Sequence, residues 1–179
     1  RKILFTLFVL CLIKVQVWAQ AATPFTVKSP NGEVTMYFTF TETGTPIYTL
    51  NYKGKQVIKP SQLGLQLVND KRSLMDDFKI ADTESKDVDE TWNPVWGEES
   101  QIRNRYNEMA VMMVQDETNR KLTIRFRLFD DGLAFRYEFP EQKQMAYLTI
   151  KEEKTQFAMT GDHTAWWIPG DYDTQEYDY

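Results

Sequence analysis

An all-β sandwich is the fold class predicted by these 179 residues, and three observations predict it. Apolar side chains recur with a period of two in several short rows. Turn-forming residues separate those rows, and no stretch carries the apolar stripe of a long helix. A period of two gives a strand one face for a core and one for water, because successive side chains leave the backbone on opposite sides. Many short strands with turns between them pack as two sheets.

The chain opens on Arg1 and Lys2, then an apolar run over residues 3–13, then Val17-Trp18-Ala19 with small residues where a signal peptidase reads them. This is the pattern of a secretory signal over residues 1–19, lacking its first residues, with cleavage expected after Ala19. The apolar run of 11 residues is shorter than the roughly 20 that a membrane-spanning helix needs. Cys11 follows the bulky Val9 and Leu10, unlike a lipid-attachment cysteine.

Loss of that segment takes Arg1, Lys2 and Lys14 and no acid, which lowers the net charge from −5 to −8. The basic footprint of a nucleic-acid-binding protein is therefore absent, and no span apolar enough to cross a membrane remains. The single cysteine leaves too. Export without disulfides points to the periplasm rather than to a small stapled extracellular scaffold. Residues 20–179 are enough for one domain with its own core.

The rows follow in order. Val34, Met36, Phe38 and Phe40 alternate with polar residues or Tyr37, after the turn pair Asn31-Gly32. Lys53-Gly54-Lys55 separates a strand over residues 48–52 from one over 56–59, and Leu63, Leu65 and Leu67 form the next row. Residues 70–89 are charged, interrupt the alternation, and are expected to be a long surface excursion. Residues 101–114 lack a clean helical stripe and carry β-branched and aromatic residues, so an extended strand is expected there, with a polar approach at residues 104–107. Leu122, Ile124, Phe126 and Leu128 form another row, and Leu133, Phe135, Tyr137 and Phe139 the last. Asp130-Asp131-Gly132 joins these two as a hairpin, where glycine accepts the positive φ of a tight turn.

Catalytic signatures of common kinds are missing. One histidine, His163, leaves little for a histidine metal cluster or a Ser-His-Asp triad, and a structural, buried or hydrogen-bonded role is expected for it. Phosphate-binding glycine loops are also absent. Two segments set carboxylates beside aromatics. In residues 90–99, Trp92 and Trp96 flank Asn93-Pro94 and precede Glu98 and Glu99. An indole can stack on a sugar ring while a carboxylate binds its hydroxyls, but composition favours a simpler role, with both indoles covering an end of the sandwich. In residues 166–179, Trp166 and Trp167 precede Asp171, Asp173, Glu176 and Asp178, interleaved with tyrosines. Such oxygen ligands suit calcium, although the spacing is not that of an EF-hand, and a charge run is usually a solvated face.

The segments Glu90-Thr91-Trp92-Asn93-Pro94-Val95-Trp96-Gly97-Glu98, Ile102-Arg103-Asn104-Arg105-Tyr106-Asn107-Glu108, the hairpin from Arg125 to Tyr137, and Trp167-Ile168-Pro169-Gly170-Asp171-Tyr172-Asp173-Thr174-Gln175-Glu176-Tyr177 together resemble the amino-terminal domain of glycoside hydrolase family 97. The resemblance covers essentially all of residues 20–179. It implies a galactose mutarotase-like super-sandwich that packs on a (β/α)8 barrel, with the chain stopping before that barrel. It further implies a calcium-dependent α-glucosidase acting on starch-derived oligosaccharides, in which Glu176 is one calcium ligand and the barrel supplies the others. Trp96, Glu98 and Trp167 are the expected sugar contacts. The paired carboxylates of glycoside hydrolysis are expected in the barrel, so no hydrolysis is expected from this chain alone. An α-galactosidase of the same family, a separate carbohydrate-binding module and a ligand-free interaction sandwich are the rival readings.

Overall fold

The structure is a computed structural model that describes residues 24–70 and 72–166. The expected signal segment, Trp167 and Glu176 lie outside the described residues. The elements are β1 (Phe25–Lys28), β2 (Val34–Phe40), β3 (Pro46–Tyr52), β4 (Lys55–Gln62), β5 (Leu65–Leu67), β6 (Phe78–Trp92), β7 (Ile102–Gln115), β8 (Lys121–Phe129), β9 (Gly132–Glu138) and β10 (Ile150–Glu153). A single 3-10 turn over Lys143–Met145 is the one helical element among the described residues.

Two four-stranded antiparallel sheets form the sandwich, in the orders β1-β2-β3-β4 and β6-β7-β8-β9, and β5 pairs with β10 in a third, two-stranded sheet. The all-β expectation therefore holds, and the rows read from the sequence face inward, except that Phe139 lies beyond the end of β9 and is exposed. Met36 and Phe38 of β2 and Leu122, Ile124, Phe126 and Leu128 of β8 are all fully buried. The sheets meet through aromatic rings: Phe38 and Phe126 have centroids 5.7 Å apart, and so do Tyr48 of β3 and Phe135 of β9. Truncating a buried ring of this kind costs about 3–5 kcal/mol, so these pairs hold one sheet on the other. Burial pushes the Tyr48 hydroxyl up to about 12, while that hydroxyl donates to the Gln156 carbonyl at 2.9 Å.

Turn chemistry agrees with the sequence at two sites and departs from it at one. Lys53 and Gly54 take φ of 49° and 76° between β3 and β4, the paired positive values of a tight hairpin turn. Gly32, at φ 75°, closes the β1–β2 connection. The β8–β9 hairpin also forms, with Phe129 opposite Gly132. Gly132, however, is not in the positive-φ region. That hairpin turns on Asp130 and Asp131, and the glycine is the first residue of β9.

Residues 70–89 are not the expected surface excursion. Their first part is a clamped loop. Asp70 Oδ1 accepts from the Arg72 and Ser73 amides at 2.9 Å each, and its Oδ2 pairs with Arg120 at 2.6 Å. The fully buried Gln115 donates from Nε2 to the Ser73 and Asp76 carbonyls at 2.9 Å each. From Phe78 onward the chain is strand β6, paired with β7 along its whole length, with one bulge between Ile80 and Asp82. An edge strand with its other side in water needs few apolar residues, and charges there discourage pairing with other chains. The polar sequence that suggested a loop is the signature of that edge.

Beyond β10 the chain returns as a strap along β4. Lys154, Gln156 and Lys59 donate backbone bonds that join residues 154–158 to Gly64, Gln62 and Lys59 at 2.8–2.9 Å, and Met159 lies opposite Ile58 in an antiparallel bridge. Tyr137 anchors the start of this strap, because its hydroxyl accepts from the Gly64 amide at 3.0 Å and bonds the Thr155 hydroxyl at 2.8 Å.

Candidate functional site

The candidate site is one end of the sandwich, and the register of the strands defines it. Strand β8 pairs with β7 only from Lys121, opposite Val114, to Leu128, opposite Asn107. The β6–β7 pair continues past that point to Trp92, opposite Ile102. Residues 88–106 thus form a two-stranded arm that outruns its sheet. At about 3.3 Å per residue, the stretch from Val88 to Trp92 carries it roughly 16 Å.

The arm is tied at its root. Asn107 Nδ2 donates to the Lys28 carbonyl at 2.9 Å, and the Asn31 amide donates to Asp130 Oδ1 at 2.8 Å. Arg105 Nη1 lies 3.6 Å from Asp130 Oδ2. These bonds set the Asn31-Gly32 turn, the Asp130-Asp131 turn and the arm at the same end. A polar hollow of about 330 Å³ sits at the root, lined by Pro30, Asp87, Val88, Asp89, Arg105 and Asn107. Further out, Asp89 holds Arg103 in a bidentate pair, Nε to Oδ1 at 2.8 Å and Nη2 to Oδ2 at 2.7 Å. The hydrogen bond from that guanidinium keeps the Asp89 carboxyl below the usual carboxylate range. Asn104 adds a bond to Glu90 at 2.8 Å.

Trp96 and Glu98 lie in the loop at the tip of the arm. Trp96 is 88 % exposed and Glu98 is exposed as well. The expectation that Trp92 and Trp96 cover an end of the sandwich therefore fails: Trp92 is half exposed, and Trp96 is lifted off the body by the arm. His163 is also exposed, contrary to the structural role expected of it, because the chain beyond Met159 has left the sheet. The strap on β4 runs toward the Lys53-Gly54 turn, which register places at the arm's end of the sandwich, since Tyr52 is opposite Val34. Trp166, at the last described position, is largely exposed. Of the two aromatic–acidic segments singled out in the sequence, the first is thus carried to that end by the arm, and the second is described only at Trp166.

Glu108 and Glu138 are occupied carboxylates. On the outer face of the second sheet, Glu108 accepts from Arg125 and Arg127 at 2.7 Å each, and Glu138 accepts from Arg125 and Arg136. Burial works against the charged form of Glu108, but the hydrogen bonds from Arg127 and Arg125 outweigh it and hold the carboxyl below its ordinary range. These acids are locked in ion pairs and have the character of a structural network. Among the described residues no three His, Cys, Asp or Glu side chains converge as a metal site, so this part of the chain does not by itself fit a calcium ion, and Glu176 lies outside it.

Residues 27–179 match the model of the amino-terminal domain of glycosyl hydrolase family 97. The chain belongs to glycoside hydrolase family 97. A family 97 enzyme from Pseudoalteromonas sp. strain K8, solved in complex with acarbose, is 32 % identical with a TM-score of 0.74, over 82 % of this chain and 22 % of that one. A variant of a family 97 enzyme from the same strain, solved with panose, is 33 % identical at a TM-score of 0.73. A retaining alpha-galactosidase of Bacteroides thetaiotaomicron is 28 % identical over 98 % of this chain and 25 % of its own length. The chain spans about a quarter of the length of these family 97 relatives. What sequence reasoning missed is the arm. Its one legible trace is a pair of long extended stretches on either side of Asn93-Pro94 and Gly97.

Proposed function

We propose that the chain is the amino-terminal domain of an exported, periplasmic α-glucosidase of family 97, which completes the oligosaccharide site of a catalytic domain that supplies the hydrolytic carboxylates. The observation that carries this reading is the family match over residues 27–179. The glucoside preference is supported by the relatives solved with panose and acarbose, both glucose-containing oligosaccharides, at 32–33 % identity. In this reading Trp96 and Trp167 stack on sugar rings, Glu98 accepts from sugar hydroxyls, and Glu176 contributes one oxygen ligand to calcium. A hard cation of that kind takes six to eight oxygens, so most ligands come from the catalytic domain.

The deciding experiment assays the full-length gene product on p-nitrophenyl α-glucoside and α-galactoside, with and without a calcium chelator. Faster α-glucoside hydrolysis that is lost on chelation, and a raised calcium requirement in Glu176→Gln, are expected. Calcium dependence unchanged in that variant removes Glu176 from the site. Preference for the galactoside establishes the second reading, which the 28 % identical retaining alpha-galactosidase favours. Fractionation with the mature amino terminus beginning at Gln20 is expected for an exported protein, and a cytoplasmic product with residues 1–19 intact contradicts export.

A further inference from the structure

The arm ends in aliphatic and aromatic side chains that the described residues leave partly or wholly exposed. Trp92 and Ile102, its last cross-strand pair, are 50 % and 37 % exposed, and Val95 just beyond them is 99 % exposed. A lone two-stranded ribbon is marginally stable in water, so bare apolar groups at its end do nothing for it unless they are buried elsewhere. Val95 and Ile102 suit protein contact rather than sugar. A branched aliphatic group offers neither a flat face to a pyranose ring nor a hydrogen bond to its hydroxyls. The ribbon is also braced: the bidentate Asp89–Arg103 pair and the Asn104–Glu90 bond stiffen its outer part, and Arg105 and Asn107 tie its root to the sandwich. The strap along β4 runs toward the same end as far as Met159.

We propose that Trp92, Val95 and Ile102 form a docking tip that seats in an apolar hollow on the remainder of the enzyme, the part of a family 97 protein that this chain does not span. The docked arm then holds Trp96 and Glu98, in the adjoining loop, toward the bound sugar. This rests on the reading of the chain as the amino-terminal domain of a longer glycoside hydrolase. The arm is a positioning device, and its apolar residues act on the sugar only through Trp96 and Glu98.

Hydrogen exchange on the sugar-free full-length protein tests it, following peptides that cover residues 88–106. Docking predicts slow exchange there in the wild type, faster by at least about tenfold in Val95→Asp and in Trp92→Ser, with peptides of β8 unchanged as the control for folding. Trp96→Ala is expected to keep the slow exchange while raising KM. Fast exchange in the wild type, or slow exchange that arises only when maltotriose is added, overturns the docking tip. Slow exchange that strengthens with protein concentration assigns the tip to a second copy and overturns it as well. A protected, Val95-dependent arm in a protein that hydrolyses no α-glycoside leaves docking standing and removes the sugar reading.

Discussion

Nη1 of Arg125 donates to Oε1 of Glu108 at 2.7 Å on the outer face of the β6–β9 sheet, and Glu108 is only 5 % exposed there. Glu108 is buried because the guanidinium of Arg127 covers its other oxygen at 2.7 Å while lying over the Tyr106 ring, 4.5 Å from its centroid. Removing one partner of a buried pair leaves the others unpaired, at about 3–5 kcal/mol in dry surroundings. Arg127 is partly exposed, so Glu108→Ala is expected to cost about 2–3 kcal/mol by urea unfolding. Arg136→Ala, on a side chain 63 % exposed, should cost under about 1 kcal/mol. Equal losses in the two variants contradict burial as the deciding factor.

Gln115 connects the end of β7 to the loop before β6, with two donor bonds from Nε2 and one bond accepted at Oε1 from the Thr118 hydroxyl at 2.8 Å. Gln115→Leu keeps the volume but strands the Ser73 and Asp76 carbonyls. The expected loss is about 2–3 kcal/mol, with early protease cleavage within residues 68–77. Wild-type cleavage rates in the variant refute the clamp.

Stability should fall in acid through Asp70. The hydrogen bond from Arg120, helped by the Ser73 and Arg72 amides, lowers its carboxyl from 3.8 to about 2. A carboxylate with a depressed folded value contributes fully above pH 3.8 and loses that contribution as pH falls toward 2. The contribution is about 2 kcal/mol at neutral pH. Unfolding free energies of wild type and Asp70→Asn should therefore differ at pH 7 and converge near pH 2. A gap independent of pH argues against the ion pair as its source.

Gly44 and Gly32 separate backbone strain from crowding. Both have φ near 75°, so alanine at either pays for a left-handed conformation, about 1 kcal/mol. At Gly32 a Cβ meets nothing within 4 Å, whereas at Gly44 it falls 2.6 Å from the Phe78 amide nitrogen. Thermal unfolding should place Gly44→Ala well below Gly32→Ala. Similar melting temperatures dismiss the close approach of this turn to β6.

The core was legible in the sequence because burial and alternation report the same thing. Met36 and Phe38, Leu122 to Leu128, and Leu65 and Leu67 read as inward rows, and the sheets bury them. Strand β6 was not legible for the converse reason. An edge strand half in water carries Lys86, Asp87, Asp89 and Glu90 without strain, and only its hydrogen bonds to β7 make it a strand. His163 misled in a similar way, since a lone histidine in the sequence carries no sign of whether its neighbours enclose it.

The sequence by itself determined the all-β class, the inward rows, most of the turns and membership of a glycoside hydrolase family, because each is written in local period or in motif. Only the tertiary structure decided which turns share an end of the sandwich, that residues 88–106 outrun the sheet as an arm, and that Trp96 and Glu98 sit at its tip. Those are matters of register between strands that meet at a distance along the chain. Alternation is the same for every register of the same parity, so only packing of the two sheets selects among them.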